Sequence, residues 1–383
     1  MQRRAIAPRA KWKERARETG FTYHTPDGET YWDESAFYAF SLAQIEDHIE
    51  AATEDIGALC AELVNRCVRD EEYLQRLRLP RHAWDLIAAS WTNAHPSLYG
   101  RFDFAYDGAN PPKLLEFNAD TPTALFEAAV FQWQWLEDLR GRALPPDADQ
   151  FNSIHEKLIA RWATVGAGRM VHLACMMRST EDAGNLAYLA DCAAQAGLKS
   201  QCLDVAEIGV RDNRFVDLRD RDIAVLFKLY PWEFMFAETF GRSPAMRSTR
   251  FVEPPWKCIL SNKGALALLW DLAPGHPNLL PAFFADDRRA ASIGGHFAEK
   301  PIWSREGANI RIVENDRDIE RTGGTYGAEG FVRQALADIP PHDGNYPVLG
   351  SWLIGDQAAG LGIREDRSRI TGDRSRFVPH AII

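Results

Sequence analysis

The segment from Ser97 to Asn118 limits the fold of this chain more than any other stretch. Its first half, Ser97-Leu-Tyr-Gly-Arg-Phe-Asp-Phe-Ala-Tyr-Asp-Gly, alternates in polarity up to an Asp-Gly turn. Its second half, Pro111-Pro-Lys-Leu-Leu-Glu-Phe-Asn, starts a second strand. Residues 98 to 118 therefore read as an antiparallel hairpin turning near Asp107 to Pro112. Arg101 and Asp103 stand two apart, as do Glu116 and Asn118, so each pair faces one side of its strand. Once the strands pair, the four polar groups converge. Two carboxylates and an amide oxygen are hard ligands suited to Mg²⁺, and arginine is suited to phosphate. The competing reading is an exposed hairpin face with ordinary Arg-Asp and Glu-Asn contacts, a common arrangement.

The rest of the chain supplies layers for this hairpin. A polar and apolar pattern from Ser41 through Leu59, Leu63 and Val64 predicts one or two amphipathic helices ending near Leu79-Pro80. Helices are also expected at 82–95, Thr123 to Leu139, Phe151 to Trp162, Asn185 to Ala196 and Ala265 to Trp270. Strands at Met170 to Cys175, Ser200 to Val205 and Ile223 to Lys228 alternate with them, as in an α/β layer. Beyond residue 301 the chain becomes Gly-rich, with strands at Asn309 to Glu314, Gly330 to Gln334, Tyr346 to Ile354 and Gln357 to Ile363. The last two flank a Gly355-Asp356 turn. No repeat or long flexible linker marks a domain boundary.

Composition removes several function classes. Forty-four basic residues stand against 54 acidic ones, a formal charge of -10, which argues against a nucleic-acid surface. The balance suits a cationic partner such as a polyamine, and it is also an ordinary route to solubility. The basic start MQRRAIAPRAKWKER leads into no apolar signal core, and no run is long enough to cross a bilayer. Six cysteines sit at 60, 67, 175, 192, 202 and 258 without CxxC or zinc-ligand spacing, as expected of reduced, mostly buried thiols in a cytoplasmic protein. His172 and Cys175 fall on opposite faces of their strand, which disfavours a Cys-His nucleophile.

Two further clusters bear on phosphate chemistry. In Lys300-Pro-Ile-Trp-Ser-Arg-Glu-Gly-Ala-Asn309, Lys300 is placed to reach a phosphate, and Ser304 to Gly307 to form a loop whose backbone donors cover one. The segment lacks the GxxxxGK[ST] pattern, and a plain surface loop is its ordinary reading. Arg364 follows an apolar strand and is a second candidate phosphate clamp, against the alternative of a salt-bridged strand end. Lys228 and Lys257 also follow apolar or aromatic runs, where a snorkelling lysine is the usual explanation.

Read together, Arg101-x-Asp103, Glu116-x-Asn118-Ala-Asp-Thr-Pro, Phe227-Lys-Leu-Tyr-Pro-Trp-Glu233, Trp256-Lys257, Ser261-Asn-Lys263, Lys300-Pro-Ile, Arg305-Glu-Gly-Ala-Asn309 and Gly362-Ile-Arg364-Glu-Asp resemble the synthetase region of the glutathionylspermidine synthase family. The resemblance runs from about residue 10 to the end and is closest to stand-alone bacterial members. It implies an α+β chain in which residues 1–383 form an ATP-grasp fold with a preATP-grasp α/β subdomain. It further implies an ATP- and Mg²⁺-dependent ligase that activates a small-molecule acid as an acyl phosphate and transfers it to an amine. On this resemblance Asp103, Glu116 and Asn118 are the Mg²⁺ positions, and Arg101 lies on the phosphate side near the reacting carboxylate. Lys257 and Lys300 are ATP-binding lysines with Lys263 in reserve. Arg364 meets the transferred phosphoryl group, and Ser304, Arg305, Glu306, Gly307, Ala308 and Asn309 form the loop over the nucleotide.

Asp120 and Glu233 are candidates for holding the amine. Two departures qualify the resemblance. The family's bifunctional enzymes carry a cysteine-type amidase domain, for which 383 residues leave no room. The expected thiol-peptide pocket offers Thr121 and Thr123 but no cysteine, so a peptide or amino-acid carboxylate other than glutathione is an equal expectation. A homodimer is compatible with the resemblance. The alternative function is a nucleotide- or polyamine-binding protein that has kept the fold without catalysis.

Overall fold

The computed structural model describes residues 1–383 and is a mixed α+β chain. The expected hairpin forms from Tyr99–Ala105 and Lys113–Asn118, with Arg101 opposite Asn118 and Asp103 opposite Glu116. Its turn is held by Asp107, whose Oδ1 accepts from the amides of Ala109 and Asn110 at 2.8 Å each. The hairpin is one edge of a five-stranded antiparallel sheet completed by Tyr346–Ile354, Gln357–Asp366 and Arg376–Val378. One face is a packed core, with Phe102 and Phe117 stacked at 3.9 Å. The other carries the polar groups, yet Arg101 is only 5% and Asp103 only 3% exposed. An ordinary solvated face is therefore ruled out.

A second five-stranded antiparallel sheet lies across the cavity these groups line. Its order is Ala282–Phe284, Phe331–Ala335, Phe297–Pro301, Arg311–Glu314 and Arg317–Arg321. The first, third and fifth of these strands were not expected, because each is short and the fifth is almost entirely polar.

The α/β layer appears as a four-stranded parallel sheet, in the order Arg250–Val252, Val225–Leu229, Val171–Cys175 and Ser200–Asp204. Helices Ile154–Gly166 and Thr180–Gln195 cover one face. Leu158, Trp162, Leu186 and Leu189 share a core there with Val171, Leu173, Val225 and Phe227. The predicted helix at Thr123 begins at Leu125 and contains a π-helical stretch, Glu127–Phe131, before regular turns at Gln132–Leu139. The helix after Ser41 likewise opens with a π-helical stretch, Gln44–Glu50, before Ala51–Cys67.

The basic start of the chain is structured. Gln2–Ala5 pairs antiparallel with Ala36–Phe40, which pairs parallel with His380–Ile382, so both ends of the chain close one small sheet. Arg9 is buried against Glu34, and Arg3 makes a two-pronged contact with Glu365 at 2.9 Å. Five cysteines are buried and Cys202 is exposed, all as free thiols. His172 contacts Asp217 and Cys175 contacts Met177, so the two do not meet. No helix is long and apolar enough to cross a membrane.

Candidate functional site

The polar face of the hairpin becomes a site because charge is supplied from three other elements. Arg101 donates Nε to Asp103 Oδ1 at 2.7 Å and Nη1 to the Thr123 carbonyl at 2.7 Å. Gly350 lies opposite Asp103, and a Cβ there would stand 2.8 Å from Arg101 Cδ, so the guanidinium needs glycine at that position. Arg364 reaches the other oxygen of Asp103 at 3.0 Å from the strand Gln357–Asp366. Asn118 Nδ2 donates to Asp103 at 3.2 Å and to Glu116 at 3.1 Å. Lys263, at the start of helix Gly264–Leu272, pairs with Glu116 at 2.9 Å and donates to the Ser304 carbonyl at 2.9 Å.

Lys300 projects from the facing sheet into the same cavity. Its ammonium donates to the Leu115 carbonyl and to Gln334 Oε1, both at 2.8 Å. Burial pushes Lys300 down to about 8, against the pull of Glu116. Burial would raise Glu116, but Lys263 and Lys300 outweigh it and hold the carboxylate well below its ordinary range. The cavity between the two sheets is thus cationic at Lys300 and Arg364, acidic at Asp103 and Glu116, and apolar at Ile312, Leu336 and Val348.

Both carboxylates of the candidate Mg²⁺ set are anionic donors on one face, and rotation of the Asn118 amide brings its oxygen toward them. The donor chemistry fits Mg²⁺, with Asp103, Glu116 and Asn118 as the residues that would hold it.

Arg305, on the loop after Lys300, turns away from that cavity. It pairs with Glu233 at 2.9 Å and donates to Thr121 Oγ1 at 2.6 Å. The loop itself is tightly folded. Glu306, Gly307 and Asn309 all have positive φ, the Ala308 amide bonds to the Arg305 carbonyl, and Asn309 bridges to Gly324 and Tyr326. A Cβ on Gly307 would meet the Thr371 carbonyl oxygen at 2.6 Å. Ser304 Oγ is buried with no hydrogen-bond partner, an unused donor at the base of the loop.

Lys257 does not join this group. It lies over the Phe117 ring on the far side of the hairpin, 3.6 Å from Glu253 and 3.2 Å from the Tyr99 carbonyl. Its place in the cluster is taken by Lys263. Lys228 does not snorkel either. It is fully buried and 2.6 Å from Asp120, which also accepts from the Trp232 amide at 2.9 Å. Burial pushes Asp120 up and Lys228 down, each opposed by the other's charge. Asp120 and Glu233, the carboxylates expected to hold the amine, are therefore already engaged by Lys228 and Arg305.

The structure offers an unexpected set in their place. Glu127, Glu181 and Asp191 line an open cavity with Tyr23, Phe126 and Tyr188, and no lysine or arginine lines it. The helix carrying Glu127 packs against the strand carrying Arg364, the Thr123 carbonyl just before that helix binds Arg101, and both guanidinium charges act on Glu127. Burial pushes Glu127 and Glu181 up to about 7, with the Glu127 charge adding to the effect on Glu181. In sequence, the one signal for Glu127 is a single acid inside the apolar run Ala124-Leu-Phe-Glu-Ala-Ala-Val.

A family model described as glutathionylspermidine synthase preATP-grasp matches residues 3–383. A Haemophilus influenzae protein provisionally named an acid–amine ligase is 41% identical over 379 residues, covering 95% of each chain. Trypanothione synthetase of Crithidia fasciculata is 28% identical over 393 residues, and the bifunctional glutathionylspermidine synthetase/amidase of Escherichia coli is 23% identical over 401 residues. This chain spans 57% and 64% of those two longer proteins. A glutathione synthetase-like effector from Globodera pallida shares the fold, with a TM-score of 0.55 over 97% of this chain and 96% of that one, at 13% identity. With nearly its whole length matched, the chain belongs to the glutathionylspermidine synthase preATP-grasp family.

Proposed function

We propose that this chain is an ATP-dependent ligase that joins a small-molecule carboxylic acid to an amine, releasing ADP and phosphate. The carrying observation is the convergence of Asp103, Glu116, Arg364 and Lys300 around one cavity between two antiparallel sheets, with Lys263 paired to Glu116. On this reading the two sheets form an ATP-grasp unit, and the parallel sheet with its helices is the preATP-grasp part. The nucleotide base lies against Ile312, Leu336 and Val348. Lys300 and Lys263 take phosphate oxygens, and Arg364 with Arg101 faces the γ-phosphoryl group as it passes to the acid. Mg²⁺, when bound, supplies charge neutralisation on the phosphates.

The acid is held between Thr121, Arg305 and Ser304, where the unused hydroxyl meets a ligand oxygen. Arg305 exchanges its contact with Glu233 for the acid, and the loop excludes water from the activated carbonyl. The amine enters through the acidic, aromatic cavity at Glu181, where carboxylates and ring faces suit an alkylammonium ion. Trypanothione synthetase and glutathionylspermidine synthetase are relatives, and their names favour a peptide acid and a polyamine here.

The test is the dependence of ADP release on both co-substrates. ADP formed with pooled peptides and polyamines together, and not with either alone, is the expected result; ADP release indifferent to both contradicts the reading. Two further outcomes follow. Arg305→Ala lowers amide formation by about 10²-fold, the scale of a small misplacement of reacting groups, and raises the ratio of ADP to amide above one. Nucleotide affinity is constant below pH 8 and weakens above it, because Lys300 loses its charge there. Calorimetry in two buffers of different ionisation enthalpy at pH 8.5 should show proton uptake as ATP binds and restores that charge.

A further inference from the structure

We infer that Glu127 is the proton acceptor for the attacking amine. The inference rests on the ligase reading above and adds a residue and a role to it.

Glu127 is 2% exposed and lines the acidic, aromatic cavity, on a helix that packs against the strand carrying Arg364. The titratable and charged groups acting on it come from every element around it: Arg101 on the hairpin, Arg364 on the neighbouring strand, Glu181 on the helix Thr180–Gln195, and the nearby Tyr31 hydroxyl. Arg101 and Arg364 both hold Asp103, so the same guanidinium pair that marks the phosphoryl side also acts electrostatically on Glu127.

The helix is built to place this side chain. Glu127 begins the π-helical stretch Glu127–Phe131, and its neighbours Ala128, Ala129 and Phe131 are all buried. Local π turns inside α-helices are frequent at functional sites, since the extra residue redirects side chains that regular turns would place elsewhere. A carboxyl inside an apolar helical run has a desolvation cost, and neither Arg101 nor Arg364 pairs with it directly, because both bind Asp103. A structural glutamate here would be expected to have a direct cationic partner.

The chemistry needs such a group. An alkylamine arrives as ammonium at neutral pH and must lose a proton to react. As its nitrogen attacks the acyl phosphate carbonyl, the C–N bond forms and the bond from carbon to the phosphate oxygen breaks. Phosphate departs with that electron pair and takes the proton the nitrogen sheds as the amide forms, while the proton removed from the ammonium before attack passes to Glu127 and then to solvent along the open cavity. Burial, which sets Glu127 near neutrality, leaves a large share of it ionised and ready to accept a proton at pH 7. Glu181, at the wider part of the cavity, binds the ammonium and guides it.

The experiment compares Glu127→Gln with wild type and Glu181→Gln, using pooled dipeptides and glutathione as acids. The nucleophile is either a pool of alkyl polyamines or hydroxylamine, which is largely unprotonated at neutral pH and needs no base to prepare it. The expected result is a loss of about 10²-fold or more in kcat with polyamines for Glu127→Gln, the usual scale of general-base catalysis, and less than about threefold with hydroxylamine. Glu181→Gln should raise KM for the polyamine with little change in kcat. Equal losses with both nucleophiles, or no loss with either, overturn the assignment. If wild type forms no hydroxamate from any acid, the ligase reading itself fails. Difference infrared titration of wild type against Glu127→Gln gives a readout independent of turnover: a buried carboxyl band titrating near neutral pH should vanish in the variant, and its absence from wild type contradicts the inference.

Discussion

Asp103→Asn should abolish most of the ligase activity while leaving a folded protein of lowered stability. Asp103 receives Arg101 at 2.7 Å, Arg364 at 3.0 Å and the Asn118 amide at 3.2 Å, and its side chain is only 4% exposed. The carboxylate therefore has two functions: it is a candidate Mg²⁺ ligand, and it is the anion that holds two guanidinium groups in one orientation. Losing the charge turns an anionic ligand into a neutral one and leaves Arg101 and Arg364 to repel each other. A drop of about 10²–10³-fold in kcat is expected, the scale seen when one preorganised electrostatic contact at a reacting centre is deleted. Stability falls by about 3–5 kcal/mol, the range for breaking a buried pair, eased toward its lower end because asparagine still accepts a hydrogen bond. Thermal denaturation locates the working range, and assays well below the transition separate lost chemistry from unfolding. Near-normal turnover would remove Asp103 from the metal set.

Lys228→Met should be strongly destabilising although it lies outside the proposed catalytic residues. Lys228 and Asp120 are 1% and 0% exposed and lie 2.6 Å apart, with the ammonium also 4.3 Å from the Trp232 ring centroid. Removing the ammonium leaves a carboxylate in the core with the Trp232 amide as its remaining donor, which costs about 3–5 kcal/mol. Adding Asp120→Asn should recover much of that loss, because a neutral amide keeps the Trp232 contact without an unpaired charge. Urea denaturation of the two single variants and the double variant gives the coupling directly. Additive losses would show that the pair does not act as a unit. This pair joins the parallel sheet to the loop after the hairpin, so its loss should also loosen the neighbouring Thr121–Arg305 contact.

These outcomes mark where the sequence was readable and where it was not. The hairpin and its four polar residues were legible because a period of two, an Asp-Gly turn and antiparallel pairing together determine which side chains share a face. The second hairpin at Gly355-Asp356 followed by the same logic, and Gly355 does adopt positive φ there. The α/β alternation gave three of the four parallel strands to within a few residues and missed the three-residue strand Arg250–Val252.

Partners distant in sequence were not legible. Lys257 and Lys263 are both lysines in one short helical region, and only the packing of that region shows that Lys263 faces Glu116 while Lys257 faces Glu253. Asp120 looked free to bind an amine because Lys228, its partner, lies 108 positions away. Glu127 escaped notice because an acid in an apolar helix normally points to solvent, and the local π turns that redirect it carry no sequence signature. The pairing of the basic start was not legible either, because Glu34 and Glu365, which neutralise Arg9 and Arg3, are remote from it in the chain.

The most direct test of the central claim is mass-resolved product analysis with purified protein, ATP, Mg²⁺, pooled small peptides and amino acids, and pooled polyamines. The account predicts a new species with the mass of one acid plus one amine less one water, formed in step with ADP and lost in Asp103→Asn. ATP-bound, folded protein that forms no such species across the pools, and releases no ADP in response to them, would contradict it.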